Sequence, residues 1–337
     1  MVETALKVGS MESNAIGTAT ISEIKSKPRG FLADFFIRLF KEKPMGAFGA
    51  IIFFILLLTG IFADFLSPYD YNEMNPIDRL KAPEAKYLLG TDHMGRDILS
   101  RIIHGARLSV IVSFSATAFS IVISTIIGTT TGFIGGKYDM IMQRFVDAWM
   151  IFPGLVVMIV FVSIFGPGMW QIIFILGLQY GIAGSRIIRG ATISTKENVY
   201  VHAANAIGAS TFRILRLHIL PNIMAPIIVL FTTRIAAVIL AEATLSFLGL
   251  GVPPPAPSWG GMLSREGLSY MRRAPYLALP PGIALTIVVY GINMFGDAMR
   301  DLLDPRLRGG IGSYTGKKKS FSLFRRKKQM EFSDESE

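Results

Sequence analysis

Long uncharged runs alternate along this chain with short charged segments, and that alternation predicts its elements. Residues 1–44 are polar, with Lys7, Lys25, Lys27, Arg29, Arg38, Lys41 and Lys43 ahead of any long apolar run. The block 47–63 is apolar and ends at Asp64; 67–107 is mixed, with Pro68, Pro76 and Pro83; 108–136 carries no charge. The uncharged run 148–185 is too long for one crossing, since a helix of about 20 apolar residues spans a bilayer. Gly166-Pro167-Gly168 near its middle is a turn signal, so it divides into spans 148–165 and 169–185. Residues 219–250 are apolar apart from Arg234 and Glu242, and 274–296 form the last uncharged block. The pattern predicts an all-α integral membrane protein of six transmembrane helices.

Composition agrees with that reading. Charged residues make up 17% of the chain, against about 25% in soluble domains. With no cysteine, disulfides, thiolate metal sites and cysteine nucleophiles are excluded. The net charge of +10 reads as a topology signal and an attraction to anionic membrane lipid rather than to nucleic acid. With a cytoplasmic N-terminus the inside segments hold 24 Lys and Arg and the outside segments 8, the bias that the positive-inside rule demands. Both termini are therefore expected in the cytoplasm, and residues 186–218 with them. The first apolar run starts too far from the N-terminus for a secretory signal, so no cleavage is expected.

A cytoplasmic loop of that length calls for a use. Its sequence suits a short helix over 198–207, ended by Gly208. Ala203 and Ala204 lie one turn before Ile207 and Gly208, giving a face with almost no side-chain bulk. Ser210 is placed to cap a second short helix, whose Phe212, Leu215 and Ile214 would meet the bilayer or neighbouring spans while Arg213 and Arg216 reach lipid phosphate. Pro221 is placed in the first turn of the fifth span, where its missing N–H costs little. Spacing alone fits either a docking element or an ordinary interfacial helical hairpin.

The segment AANAIGASTFRILRLHILPN resembles the signature loop of permease subunits of ATP-binding-cassette importers. That pattern is Glu-Ala-Ala, three residues, Gly, nine residues, Ile, any residue, Leu-Pro. Ala203, Ala204, Gly208, Leu220 and Pro221 match at the family spacing, while His202 replaces the acidic residue and His218 the isoleucine. LLGTDHMGRDILSRIIHGARLSV, AEATLSFLGLG, PSWGGML and NMFGDAMRDLLDPRLR further resemble the smaller-loop permease of oligopeptide, dipeptide and nickel importers. The resemblance implies the fold of type I importer permeases, with a permease domain over 45–308. It carries an extracytoplasmic insertion at 67–107 and a coupling loop at 186–218. An N-terminal extension, 1–44, and a basic then acidic tail, 309–337, lie outside it. It also implies a location in a bacterial or archaeal plasma membrane and a transport role without enzymatic activity. The implied partners are a homologous second permease, two cytoplasmic ATPases that bind the ATP and Mg²⁺, and an extracytoplasmic solute-binding protein. Peptide is the leading cargo, with nickel or another small solute as alternatives. His202, Ala203, Ala204, Gly208, Leu220 and Pro221 are its expected ATPase-coupling residues.

Other candidates have simpler readings. Asp92, His93 and Asp97 suit a glycine turn with local hydrogen bonds, and His93 and His104 lack a metal-ligand spacing, so no metal or cofactor site is expected. GSYTGKKK lacks the residues of a phosphate loop, and the basic clusters after Lys317 suit anionic lipid. Gly128, Gly132 and Gly136 are either close-approach positions for another helix or bends near a span end. Arg234 and Glu242 either line a translocation path or bond to another helix or a partner, and their separation along the fifth span argues for separate neighbours. An ion-coupled secondary transporter would instead show inverted repeats and titratable midplane residues, and only Arg234 lies at that depth.

Overall fold

A computed structural model describes residues 31–303, which form helices and loops with no strand among the described residues. The extreme N-terminus and the basic tail lie outside the described residues. An amphipathic helix α1 (Phe31–Glu42) leads into α2 (Pro44–Ile61), which begins on Pro44, a position where a proline's missing N–H is no loss. The next long helix, α3 (Ile98–Ile134), starts ten residues before the uncharged block. Asp97 caps it, accepting hydrogen bonds from the Ser100 N–H at 2.8 Å and the Ser100 hydroxyl at 2.6 Å. The end of the insertion is thus helical, and its charges are spent on neighbours: Arg107 donates to Asp64 at 2.8 Å, and Arg101 to the Tyr71 carbonyl at 3.3 Å.

The predicted third span, 148–165, is not one straight helix. Residues up to Ile151 belong to α4 (Gly136–Ile151), and α5 (Gly154–Phe165) leaves it at 84°. Pro153 is the cause: it drives the preceding Phe152 to an extended ψ of 133°, as a following proline does. At 12 residues, α5 is about 18 Å long, less than the ~30 Å apolar thickness of a bilayer. The described residues therefore hold five helices long and apolar enough to span a membrane and one bent pair. Helix α6 (Met169–Lys196) continues past the predicted end at 185 because its charges are paired. Arg189 holds Asp139 of α4 with bonds of 2.7 and 2.5 Å, and Lys196 covers the Phe133 carbonyl at the end of α3 at 2.6 Å.

Helices α3 and α6 touch backbone to backbone. A Cβ on Gly128 would lie 2.7 Å from both the Ile188 Cβ and the Ser185 carbonyl, and one on Gly132 2.9 Å from the Arg189 carbonyl. Ser124 donates to the Gly181 carbonyl at 2.8 Å across the same seam. Two of the three glycines are thus close-approach positions. Gly136 instead has open space around it and a φ of +58°, so it serves the bend before α4.

Later in the chain come α7 (Val199–Ala206), α8 (Thr211–Phe247), the short α9 (Trp259–Leu263) and α10 (Arg265–Tyr270), and α11 (Leu279–Leu303). At the end of the bundle opposite α7, the loops are tied together. Tyr276 donates to the Leu80 carbonyl at 2.6 Å, and the Trp259 indole to the Ile102 carbonyl at 3.0 Å. Asp78 is buried there and accepts from Lys86 and Tyr87 at 2.8 Å each, with Lys81 at 2.5 Å. Those bonds, Lys81 foremost, hold its carboxyl well below the usual carboxylate range. Asp92 organises the adjacent turn, accepting from the Met94 and Arg96 amides at 2.8 and 2.9 Å and pairing with the Arg96 side chain at 2.6 Å.

Candidate functional site

Helix α7 is eight residues long and ends in a fully made cap. Gly208, at φ +81°, takes the left-handed conformation that a side chain resists. Its N–H donates to the Asn205 carbonyl at 3.0 Å, and the Ala209 N–H to the Ala204 carbonyl at 3.1 Å. These are the two bonds of a Schellman cap. A Cβ on Gly208 would meet nothing within 4 Å, so the glycine is required by its backbone angle and leaves the surface open.

The two alanines do not share a face. Ala204 is buried in a core with Val201, Ile214, Ile219, Ile223 and Ile227. Ala203 is exposed, as are Ile207 at 85% and Val199 at 83%. Of the residues expected to meet the bilayer or neighbouring spans, Ile214 is fully buried against neighbouring helices, while Phe212 is 72% exposed. An eight-residue helix cannot bury both its sides, and the 3.6-residue period separates neighbours at 203 and 204 by about 100°. His202 also faces outward; its Nε2 lies 4.0 Å from Glu197, both side chains being exposed, so the pair contributes little.

Ser210 caps the next helix, accepting from the Arg213 N–H at 3.4 Å. That helix is not a separate element. It runs as α8 through 37 residues, about 55 Å, so Pro221 lies eleven positions inside it and not in its first turn. The proline is accommodated by a change of helix type, with a π turn at Leu215–Ile219 followed by a 3₁₀ turn at Leu220–Ile223. The Leu220 N–H reaches back to the Leu215 carbonyl, and the Asn222 side chain donates to the His218 carbonyl at 2.7 Å. Such a local rewinding lets the ladder continue past a residue without an N–H. The turn that follows α7 and the buried middle of the bundle are thereby joined by one helix.

Arg234 and Glu242 sit on α8 with separate neighbours. Glu242 is fully buried near the end of α8 and accepts from the Ser246 hydroxyl at 2.7 Å. Arg234, 13 residues from Phe247 and about 20 Å deep, lies over the Tyr180 ring with its guanidinium carbon 5.2 Å from the ring centre, a cation–π arrangement. It lines a cavity of about 250 Å³ between α5, α6 and α8, with Gln179, Tyr180, Gly154, Met158 and Thr244. Sequence reading missed Gln179 and Tyr180. The available signal was an amide and a phenol in mid-span, where polar side chains are retained for bonds to other groups.

The sequence pattern of the family described as "Binding-protein-dependent transport system inner membrane component" matches residues 121–309. That described as "N-terminal TM domain of oligopeptide transport permease C" matches residues 30–83. The dipeptide transport system permease protein DppC of Alkalihalophilus pseudofirmus is 39% identical over 268 residues, covering 80% of this chain and 88% of the relative. The oligopeptide transport system permease protein OppC of Bacillus subtilis is 36% identical, covering 88% and 97%. The glutathione transport system permease protein GsiD of Pectobacterium atrosepticum is 38% identical, covering 86% and 96%. Matched over most of its length by these permeases and built of membrane-spanning helices, the chain belongs to the family of inner membrane components of binding-protein-dependent transport systems.

Proposed function

We propose that this chain is one permease half of an ATP-driven peptide importer, working beside a homologous permease and fed by an extracytoplasmic solute-binding protein. Two cytoplasmic ATPases bind and hydrolyse ATP with Mg²⁺, and the permease itself carries out no hydrolysis. The dipeptide, oligopeptide and glutathione cargoes in the names of its relatives support peptide as the substrate class.

The observation that carries the coupling is the packing of α7 on α8 through one buried core. Ala203, Val199 and Ile207 present an exposed apolar surface, and exposed apolar patches on a well-packed unit mark contact sites. Ala204, beneath them, ties that surface to Ile214, Ile219 and Ile223 of α8. Closure of the ATPases on α7 displaces this shared core, and α8 carries the displacement past Pro221 to Arg234. Leu220, half-buried against the same core, and Pro221 form the stretch where the helix changes its winding.

The test is reconstitution. The purified chain with its second permease and ATPases should take up a labelled dipeptide into proteoliposomes only with ATP and the loaded solute-binding protein. Uptake that persists without ATPase subunits, driven by an ion gradient, would refute the assignment.

A further inference from the structure

We propose that Arg234, with Gln179 and Tyr180, forms a carboxylate-recognition site at mid-membrane that holds the C-terminus of the transported peptide. This rests on the peptide reading above and assigns the group of the cargo that the permease itself recognises.

Three observations converge. An arginine at this depth is expensive and is kept where it meets an opposite charge, a polar group or a path. Arg234 makes no ion pair among the described residues; its guanidinium lies over the Tyr180 ring, and its Nε is enclosed without a hydrogen-bond partner. On the facing helix the Gln179 Oε1 is likewise enclosed and unpartnered. Both side chains line one cavity of about 250 Å³.

The pair of unmet groups defines the ligand. A guanidinium calls for an anion, and its planar fork matches a carboxylate. An amide oxygen calls for an N–H. The last residue of a peptide carries both, its amide N–H and its carboxylate flanking a single Cα. An Asp or Glu side chain of a second permease offers the carboxylate alone. Lipid headgroups lie about 15 Å away, half the apolar thickness of the bilayer. Tyr180 sets the plane of the fork from below, its hydroxyl turned away to the Ala237 carbonyl at 3.4 Å. Nε and Oε1 are enclosed as they stand, so a ligand engages them once the Arg234 and Gln179 side chains turn toward the cavity. The remaining walls, Leu155, Met158, Ala183 and Ala241, are apolar. Such a site reads backbone atoms of the cargo and tolerates varied side chains.

The reconstituted transporter tests this with two probes, trialanine and a tripeptide ending in diazirine leucine. We expect Arg234→Gln to lower initial trialanine uptake about tenfold or more, the effect of removing a charge-assisted hydrogen bond. Arg234→Lys, which keeps the charge and loses the fork, should recover part of it. Photolysis during turnover should label the native chain within 154–158, 179–183 or 234–244, and Arg234→Gln should lose that label. Equal trialanine uptake by native and Arg234→Gln overturns the site, as does labelling confined to other segments. Should Arg234→Gln fail to assemble, the position of the label on the native chain decides alone. A native assembly that hydrolyses ATP but takes up no trialanine removes the peptide reading and this site together, whereas uptake insensitive to residue 234 removes the site only.

Discussion

Replacing Ala203 by arginine separates docking from folding at the tip of α7. The methyl of Ala203 is exposed, so a longer side chain there displaces nothing within the chain. The helix-propensity change from alanine to arginine is a few tenths of a kcal/mol. The melting temperature of the purified permease should therefore stay put. A partner seated on this surface meets a different situation: forcing extra bulk into a packed contact costs about 1–3 kcal/mol. At 1.4 kcal/mol per factor of ten, that weakens association roughly 5- to 150-fold. Titration of the ATPases onto the permease pair, with uptake measured on the same preparations, reads the effect. Native affinity and native uptake in Ala203→Arg would refute the placement of the docking surface. The neighbouring substitution, Ala204→Arg, is uninformative about docking. It drives a charge into the core of Val201, Ile214 and Ile219, and an unpaired buried charge destabilises the fold outright.

Three further outcomes follow from the packing. Gly208→Ala keeps its surroundings clear but holds alanine at φ +81°, a strain of about 1–2 kcal/mol. Amides 199–209 should exchange several-fold faster, with a smaller change for Gly208→Asn, which tolerates that angle better. Gly128→Leu pushes α3 off Ser185 and Ile188, and should lower the melting temperature in detergent as an overpacking mutation of about 1–3 kcal/mol does. The bonds that depress the Asp78 carboxyl contribute stability that is full above its unfolded value, about 3.9, and is lost progressively as pH falls from there through the lower folded value. Limited proteolysis should therefore find the 67–97 segment of the native chain resistant at pH 4. Asp78→Asn should be cut faster at neutral pH and show little further change on acidification.

The sequence revealed the bundle because apolar runs report membrane crossing directly, and it located α7 because Gly208 punctuates it. It misplaced helix ends wherever charge was paired. Arg101, Arg107 and Arg189 read as loop residues, yet each sits inside a helix with a partner supplied by a distant segment. The two prolines show the limit most clearly. Pro153 breaks a span that hydropathy reads as continuous, while Pro221 is absorbed inside a helix that local rules would start at that point. The difference lies in the neighbours, since Ile219 and Ile223 are clamped by the core around Ile188 and no such clamp surrounds Phe152, which is 61% exposed. At the site, Arg234 stood out as a charge in an apolar run, but Gln179 and Tyr180 gain their meaning only from the packing of α6 on α8.

The clamp on α8 also has a mechanical sense. Ile219, Ile223 and Ile227 are buried on one side of the helix against Ile188, which places a fulcrum near Ile223. Thr211 lies 12 residues to one side, about 18 Å, and Arg234 lies 11 residues to the other, about 17 Å. The arms are nearly equal. If α8 moves as one body, a push of a few ångströms toward the bundle at the tip returns a swing of the same size, in the opposite sense, at the arginine. Moving so, the helix would act as a balanced rocker, neither amplifying the stroke nor damping it, and would invert its direction.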